Sequence, residues 1–487
     1  MTRREFAGGA LCLLAGGWRM LSAAELDFGA PDLKLGVLSD IHFTFPGYPA
    51  KDYEEECRNL NPAYFRKALE WYRDAGVDGV VIAGDMADLG LVRQLEYVAK
   101  VWNEVFPGDR RPDGGHVEKL FVYGNHDIDG GTWDWTKRTF PDEPAVCNDP
   151  AGAWEKAFGE RYEPFWHKRI KGYSFLGAHW NPKAGVGSTI FNPPPAEPAL
   201  REFLAKELPT VNAAKPFFYI QHPHLKDTCY GPWAWGHDYG DATEMLRGYP
   251  RAIALSGHSH YTLTDERSVW QGAFTSVGTA SLHMIDLPEG RENGTPGWMT
   301  SQMRALHEPI RQGMLFTLYG DTLVIDRREL TTMKKLGPDW VVPAGGTRYA
   351  FETAAAELPR PAFAAGAKPM LSKPFDGKDR SGAASRQYRL TWPAARCDEG
   401  ASRAFDYEVV VEIGMADMTR RLVKRVYSKT FWRPPEYDRD DVECLFAESE
   451  LLLRWPFRIS VSALNCYGAR SEPIVLENVF LQHSEDR

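Results

Sequence analysis

Five short polar clusters, each following an apolar run, constrain the fold of this chain more than any other feature. The clusters are Asp40-Ile41-His42, Gly84-Asp85-Met86-Ala87-Asp88, Gly124-Asn125-His126-Asp127, Gln221-His222 and Gly257-His258-Ser259-His260. The preceding segments, such as 78–83 and 252–255, are rich in apolar residues, as expected for strands buried on both faces of a sheet. Because ligand sites of open α/β sheets lie at the carboxyl ends of strands, the pattern predicts one crevice that collects all five clusters.

The alternation of strand and helix patterns between about residues 33 and 330 predicts the fold class. Residues 61–75 have the apolar period of a helix, and we expect Asn61 to cap it and Pro62 to begin it. A hairpin is predicted over residues 313–325. Together these elements predict a layered α/β domain, a mixed β-sheet sandwich flanked by helices, over residues 25–353.

The N-terminal residues 1–24 have the pattern of an export signal. Arg3 and Arg4 precede a short apolar run, and small residues follow it at 22–24. The arginine pair favours a twin-arginine signal, and an ordinary secretory signal with a chance arginine pair is the alternative. The apolar run is too short to span a bilayer, so we predict no transmembrane helix and a periplasmic or extracellular location.

The C-terminal part of the chain differs in character from the rest. Residues 354–374 are rich in Ala and Pro and are predicted to form a linker. Residues 375–487 alternate apolar and polar side chains and predict an all-β sandwich, which resembles a fibronectin type III module. Three of the seven cysteines lie at or beyond residue 397, where either one disulfide or buried free thiols are compatible with the sequence.

The charge of the chain limits its partners. The 57 Lys and Arg residues against 66 Asp and Glu give a formal net charge of -9. This balance argues against an extended nucleic-acid-binding surface, which would need broad phosphate neutralisation. A small anionic substrate stays compatible with it, because bound cations reverse the local field.

The five clusters offer the donors that two divalent cations need, namely carboxylates, imidazoles and an amide oxygen. On an extended segment, residues i and i+2 point to the same side, so Asp40 and His42 would face the crevice together, as would His258 and His260. A single cluster is explained more simply by a solvated loop or a structural histidine. All five together predict a two-metal centre.

In this order, the clusters resemble the signature of the calcineurin-like metallophosphoesterase superfamily, over roughly residues 33–260. The resemblance implies two divalent metal ions, Mn, Fe or Zn. It implies the following ligands: Asp40, His42 and His260 for the first metal; Asn125, His222 and His258 for the second; and Asp85 as a bridge between both.

The resemblance also implies direct hydrolysis of a small phosphate monoester or diester by in-line attack of a hydroxide that bridges the metals. His126 is expected to donate a proton to the leaving oxygen, and Asp88 to orient His126. Asp127 is a second candidate for the orienting group, or else a brace of its loop. Leu89 replaces the Arg of protein serine/threonine phosphatases, and Asp88 replaces the Tyr of purple acid phosphatases, which argues against both assignments.

Three residues are candidates for substrate contacts: His224, Trp133 and Trp235. The two indoles would stack on a base, a sugar or an aryl group, or would instead pack their loops together. The alternative to a substrate contact for His224 is a supporting role beside the ligands or a place on the surface. Lys226 and Arg304 are possible phosphate contacts or ordinary surface charges.

Two other functions are compatible with the sequence. A degenerate phosphoesterase scaffold would present a glycan-binding or protein-binding β-sandwich, but the complete ligand set argues against degeneracy. A nuclease is disfavoured by the acidic charge. The sequence does not indicate an oligomeric state.

Overall fold

The computed structural model describes most of the chain between residues 28 and 481. The described ranges are 28–48, 58–187, 198–232, 234–286, 291–292, 310–378, 382–396, 401–415, 418–428, 431, 433–434, 441–451 and 455–481. They fall into two compact units, which divide between Phe351 and Glu352, with residues 291–292 in the second unit. The predicted export signal lies outside the described residues.

The first unit contains two mixed sheets. Its strands are β1 (Leu33–Leu38), β2 (Gly79–Ala83), β3 (Glu118–Val122), β4 (Phe165–Ile170), β5 (Tyr173–Ala178), β6 (Phe217–Ile220), β7 (Ala252–Ser256), β8 (Val269–Gln271), β9 (Thr275–Gly278), β10 (Gln312–Tyr319), β11 (Thr322–Glu329), β12 (Lys334–Lys335) and β13 (Trp340–Pro343). One sheet has the order β12-β11-β10-β1-β2-β3, with β13 also paired to β11, and the other has the order β4-β5-β6-β7-β9-β8. The predicted hairpin is formed by β10 and β11, and β10 pairs antiparallel with β1.

Parallel pairing brings the strand ends together. Strands β1, β2 and β3 are parallel in the first sheet, and β5, β6, β7 and β9 are parallel in the second. Both groups of strands therefore deliver their C-terminal loops to one edge of their own sheet.

Helices cover the outer face of each sheet. The described helices are α1 (Asn61–Ala75), α2 (Val92–Val105), α3 (Asn125–Ile128), α4 (Asp134–Thr139), α5 (Pro150–Phe158), α6 (Ala199–Glu207), α7 (Asp241–Leu246) and α8 (Phe351–Glu357). Phe65 and Leu69 of α1 share a core with Ile82 of β2, and Leu204 of α6 shares another with Phe217 of β6. Full burial of such side chains contributes about 1.5–3 kcal/mol each. The predicted layered α/β fold is confirmed.

The start of α1 differs in one respect from the prediction. The helix does begin at Asn61 with Pro62 in its first turn, but the cap position is Leu60, with no side-chain cap. The Asn61 amide is buried and donates to the carbonyls of Ile41 at 2.8 Å and His42 at 3.2 Å. The side chain is thus bonded to the loop after β1 and is not available to cap its own helix.

The second unit is all-β apart from α8 at its start. Its strands are β14 (Met370–Leu371), β15 (Phe375–Lys378), β16 (Ala384–Trp392), β17 (Asp406–Met415), β18 (Met418–Tyr427), β19 (Val442–Ala447), β20 (Phe457–Leu464) and β21 (Ile474–Val479). One antiparallel sheet joins β14, β15 and β19 to β16, and another has the order β18-β17-β20-β21. The predicted C-terminal all-β region is confirmed, and its likeness to fibronectin type III stays a prediction.

The segment predicted as a linker, residues 354–374, is only partly irregular. It contains most of α8, in which a run of alanines favours helix. It also contains β14, which pairs with Leu390 and Thr391 of β16. Cys444 and Cys466 are buried, and Cys397 lies outside the described residues. Among the described helices, none combines the length and the apolar character needed to cross a bilayer.

Candidate metal centre

The five predicted clusters follow β1, β2, β3, β6 and β7, and their side chains meet in one crevice. The backbone turns sharply there, because five residues with side chains have φ between 49° and 74°. They are Asp40, His42, Asp85, His258 and His260. Such left-handed conformations are uncommon outside glycine, and they persist at functional sites where the surrounding structure enforces them. The left-handed turns, and not the extended i, i+2 alternation expected from the sequence, aim these side chains into the crevice.

The glycines that precede these residues allow close approach. Gly84, Gly124 and Gly257 precede Asp85, Asn125 and His258. A Cβ atom on Gly84 would collide with the side chain of His222, one on Gly124 with that of Asp85, and one on Gly257 with that of Asp40. The Gly-Asp, Gly-Asn and Gly-His pairs of the sequence therefore have a packing cause, since only glycine leaves room for a ligand from the neighbouring strand.

The first ligand group consists of Asp40, His42 and His260. Nε2 of His260 lies 3.0 Å from Oδ1 of Asp40 and 3.3 Å from Nε2 of His42. Nδ1 of His42 lies 3.2 Å from the carboxylate of Asp88, which places the His42 proton on Nδ1 and leaves Nε2 with a lone pair. Nε2 of His42, Nε2 of His260 and Oδ1 of Asp40 thus lie around a common point, as the ligands of a cation do.

The second group shows the same arrangement more clearly. Nδ1 of His222 lies 2.7 Å from the carbonyl of Ala83, so Nδ1 carries a proton and donates it to that carbonyl. The remaining Nε2 lies 3.1 Å from Oδ2 of Asp85, 3.0 Å from Oδ1 of Asn125 and 3.1 Å from Nδ1 of His258. One imidazole nitrogen cannot satisfy three such neighbours by hydrogen bonding, whereas a cation between them can.

Asp85 lies between the two groups. Its Oδ2 is 3.1 Å from Nε2 of His222 and 3.8 Å from Nε2 of His42, and its Oδ1 accepts the backbone N–H of His126 at 2.8 Å. A carboxylate in this position has the reach to bridge two cations. The structure therefore brings together all seven residues predicted as ligands, and their oxygen and imidazole donors fit Mn, Fe or Zn.

The crevice combines buried carboxylates with imidazoles whose pKa values are shifted in both directions. Burial opposes ionisation of Asp40, but the charge and hydrogen bond of His260 outweigh it and lower the Asp40 pKa to about 2. Burial likewise opposes charge on His222, but the Asp85 carboxylate outweighs it and raises the His222 pKa to about 9. Burial and the neighbouring charge of His222 hold the pKa of His258 well below its usual range. Buried carboxylates that draw protons onto imidazoles provide the field in which divalent cations bind.

Asp88 has a partner different from the one expected. Its carboxylate accepts from Nδ1 of His42 at 3.2 Å and from Nη1 of Arg58 at 2.8 Å. Nδ1 of His126 is 4.0 Å from that carboxylate, but 2.9 Å from the backbone carbonyl of the same residue. Asp88 thus orients His126 through its main chain, and its side chain holds a predicted metal ligand.

Asp127 braces the loops around the crevice, which was the alternative role considered for it. Its carboxyl oxygens accept the backbone N–H groups of Ala87 at 2.6 Å, Gly124 at 2.8 Å and Met86 at 3.2 Å. Burial, reinforced by the nearby charge of Asp85, raises the Asp127 pKa to about 7.

Two of the three predicted substrate contacts border the crevice. The Trp133 ring meets the His126 ring at 4.7 Å, and the Trp235 ring meets the His258 ring at 4.5 Å. His224 is fully buried, with Nδ1 2.8 Å from the Ser256 hydroxyl and Nε2 2.6 Å from the Ser259 hydroxyl. The His224 ring therefore supports the loop that carries His258 and has no exposed edge for a substrate.

The two predicted cationic contacts give no support to a phosphate site. Lys226 lies against the loop at Gly240, and Arg304 lies outside the described residues.

Sequence reasoning missed several residues around the ligands. Trp180 is buried against the rings of His222 and His258. His283 donates its backbone N–H to the Asp40 carbonyl at 3.0 Å, and its ring lies 5.1 Å from that of His42. His283 follows β9, the parallel neighbour of β7, so its place after a strand end was a usable signal. No pattern in the sequence marks Arg58.

Comparison with known proteins agrees with this geometry. Residues 33–262 match the family model described as calcineurin-like phosphoesterase. Among curated proteins, none matches the chain.

The solved structures that are similar to this chain share little sequence identity with it. A dimetal phosphatase from Danio rerio is 12% identical, with 65% of this chain and 100% of that chain covered and a TM-score of 0.40. The purple acid phosphatase PPD1 from yellow lupin (Lupinus luteus) seeds is 13% identical, with 64% of this chain and 55% of that chain covered and a TM-score of 0.39. Vps29 from Entamoeba histolytica, complexed with zinc, is 10% identical, with 64% of this chain and 99% of that chain covered and a TM-score of 0.28.

The family match over residues 33–262 spans all five clusters that build the crevice. This part of the chain is therefore similar to calcineurin-like phosphoesterases, a family whose members use dinuclear metal centres.

Proposed function

We propose that this chain is an exported two-metal phosphoesterase that hydrolyses small phosphate monoesters or diesters. The observation that carries the proposal is the environment of His222 Nε2, a nitrogen that faces Asp85, Asn125 and His258 within 3.1 Å. A buried cluster of this kind is stable when cations occupy it, and its members are the residues that the resemblance implies as metal ligands.

Each residue has a defined part in holding the cations. The first cation would be held by Asp40, His42 and His260, the second by Asn125, His222 and His258, and both by Asp85. The chemistry supplied at such a centre is a water of lowered pKa and compensation of the phosphoryl charge. The buried ligands, none more than 8% exposed among the aspartates and histidines, would exclude bulk water and strengthen these interactions.

His126 is the residue suited to proton transfer. Its Nδ1 lies 2.9 Å from the carbonyl of Asp88, so Nδ1 carries a proton and donates it there. The free Nε2 is the atom that can exchange a proton with substrate, and the side chain is 27% exposed. As hydroxide attacks phosphorus and the bond from phosphorus to the leaving oxygen breaks, a proton held at Nε2 would pass to that oxygen and leave the His126 ring neutral.

A small substrate and export of the protein are both supported by features away from the ligands. The net charge of -9 disfavours a long polyanion. The pattern of residues 1–24 supports export, and a fusion of this segment to a periplasmic reporter would test it. If the signal is of the twin-arginine type, Arg3→Lys together with Arg4→Lys should block export of the folded reporter.

The hydrolysis itself is tested with p-nitrophenyl phosphate and bis(p-nitrophenyl) phosphate. We expect turnover that chelation abolishes and that Mn²⁺, Fe²⁺ or Zn²⁺ restores, and the ratio of the two rates would separate a monoesterase from a diesterase. Absence of metal-dependent turnover of either ester would favour the scaffold alternative, and cleavage of plasmid DNA at a higher rate than either ester would favour a nuclease.

A further inference from the structure

Two partly exposed indole rings border the crevice beside the residue proposed to protonate the leaving group. The Trp133 ring meets the His126 ring edge to face, with centroids 4.7 Å apart and an interplanar angle of 87°. The Trp235 ring meets the His258 ring at 4.5 Å and 64°. Because His126 faces the leaving oxygen under the proposed function, the group attached to that oxygen would emerge beside these rings.

Aromatic side chains pack on Trp133 and on His258, the ring that Trp235 meets. Trp135 stacks on Trp133 with centroids 6.1 Å apart and an interplanar angle of 25°. Trp180 packs on His258 at 5.6 Å, and its Nε1 donates to the Asp129 carboxylate at 2.9 Å. An aromatic wall whose rings are fixed before binding loses little conformational entropy when a ligand stacks on it.

The alternative role, loop packing, explains these contacts less well. Trp180 has that role, since it is only 5% exposed. Trp133 and Trp235 instead keep part of their surface exposed, and their edge contacts go to His126 and His258. Partly exposed aromatic side chains beside convergent polar groups are typical of ligand sites.

We infer that the leaving group of the substrate carries a flat, uncharged aromatic ring, a nucleobase or an aryl group, that stacks on Trp133 and Trp235. This inference rests on the proposed function. A quaternary ammonium group would also be attracted to indole faces, but two divalent cations in the adjacent crevice would repel it. An aliphatic group would gain contact area without the aromatic stacking.

A matched pair of esters tests the inference. Benzyl phosphate and cyclohexylmethyl phosphate release alcohols of similar basicity and similar size, but only the first has a flat π system. We expect the wild-type protein to favour the benzyl ester about 10-fold in kcat/KM, in the range of one aromatic stacking contact. Trp133→Ala and Trp235→Ala should each bring the ratio close to one, and Trp133→Phe should retain most of it.

Controls separate stacking from structural damage. Trp455→Ala removes an indole that is 41% exposed in the all-β unit and should leave the ratio unchanged. Metal content and melting temperature are measured for every variant. The same preference is measured without substitution as the relative inhibition of the wild-type protein by benzylphosphonate and cyclohexylmethylphosphonate.

The outcomes distinguish the inference from the function on which it rests. If both esters are hydrolysed and the ratio does not respond to Trp133→Ala or Trp235→Ala, the aromatic subsite is wrong and the phosphoesterase function stands. If the two substitutions instead selectively reduce hydrolysis of phosphocholine, the subsite takes a cation and the aromatic class is wrong. If the metal-loaded wild-type protein hydrolyses bis(p-nitrophenyl) phosphate but neither of these monoesters, the function stands, and the relative inhibition by the two phosphonates decides the inference. If it hydrolyses none of these esters, both proposals fail.

Discussion

The carboxylate of Asp88 accepts a hydrogen bond from Nδ1 of His42 at 3.2 Å. Its other oxygen accepts from Arg58 at 2.8 Å. Burial opposes ionisation of Asp88, but the charge of Arg58, followed by the hydrogen bond and charge of His42, lowers its pKa to about 2. A chain from guanidinium to carboxylate to imidazole therefore fixes the tautomer of His42, and groups that orient a ligand in this way raise its affinity for metal.

Asp88→Asn should weaken the first metal site about 10- to 100-fold, because an amide orients His42 without charge and no longer pairs with Arg58. The measurement is a titration of the apoprotein with Mn²⁺, followed by activity and by metal content. Asp321→Asn, at the exposed turn between β10 and β11, is the matched control. If the carboxylate acted on His126 instead, metal affinity would be unchanged and only turnover of esters with basic leaving groups would fall.

His126→Ala should leave both metal sites intact and slow turnover by about 10²- to 10⁴-fold, the usual loss for a general acid. The loss should be larger for benzyl phosphate than for p-nitrophenyl phosphate, because nitrophenolate leaves without a proton. The two rates and the metal content are measured on the same sample. Loss of metal in this variant, or an equal effect on both esters, would contradict the role assigned to His126.

Asp85→Asn should nearly abolish turnover and lower the metal content at both sites, because one oxygen of the bridging carboxylate is replaced by an amide nitrogen. A ligand present at 100 times its dissociation constant stabilises a folded protein by about 2.7 kcal/mol. Saturating Mn²⁺ should therefore raise the melting temperature of the wild-type protein, and of Asp321→Asn, more than that of Asp85→Asn. An equal rise in all three would show that Mn²⁺ stabilises the protein at another place.

The sequence was sufficient to predict the strands that precede the clusters and the side chains that meet in the crevice, but not the partners of those side chains. His222 could be identified because a strand pattern precedes it and because the five clusters occur in a recognisable order. The bonds of Asn61 to the loop after β1 depend on where α1 packs, which local sequence does not encode. The same holds for the pairing of Asp88 with Arg58, which lies before α1, and for the short strand β14 within residues 354–374, whose partner lies about twenty residues later.

Gly84→Ala should disrupt the metal centre, because the added Cβ atom would collide with the ring of His222. The same substitution at Gly76 serves as a control that introduces only backbone strain. Gly84 has φ 90°, and a Cβ there would strike the His222 ring; Gly76, after α1, has φ 73° and open space around it. Both alanine variants carry the cost of a left-handed residue, about 1–2 kcal/mol. Only Gly84→Ala should also lose metal binding at the second site. Equal melting temperatures and equal Mn²⁺ affinity in the two variants would show that His222 moves aside freely and that its position is not fixed by the packing described above.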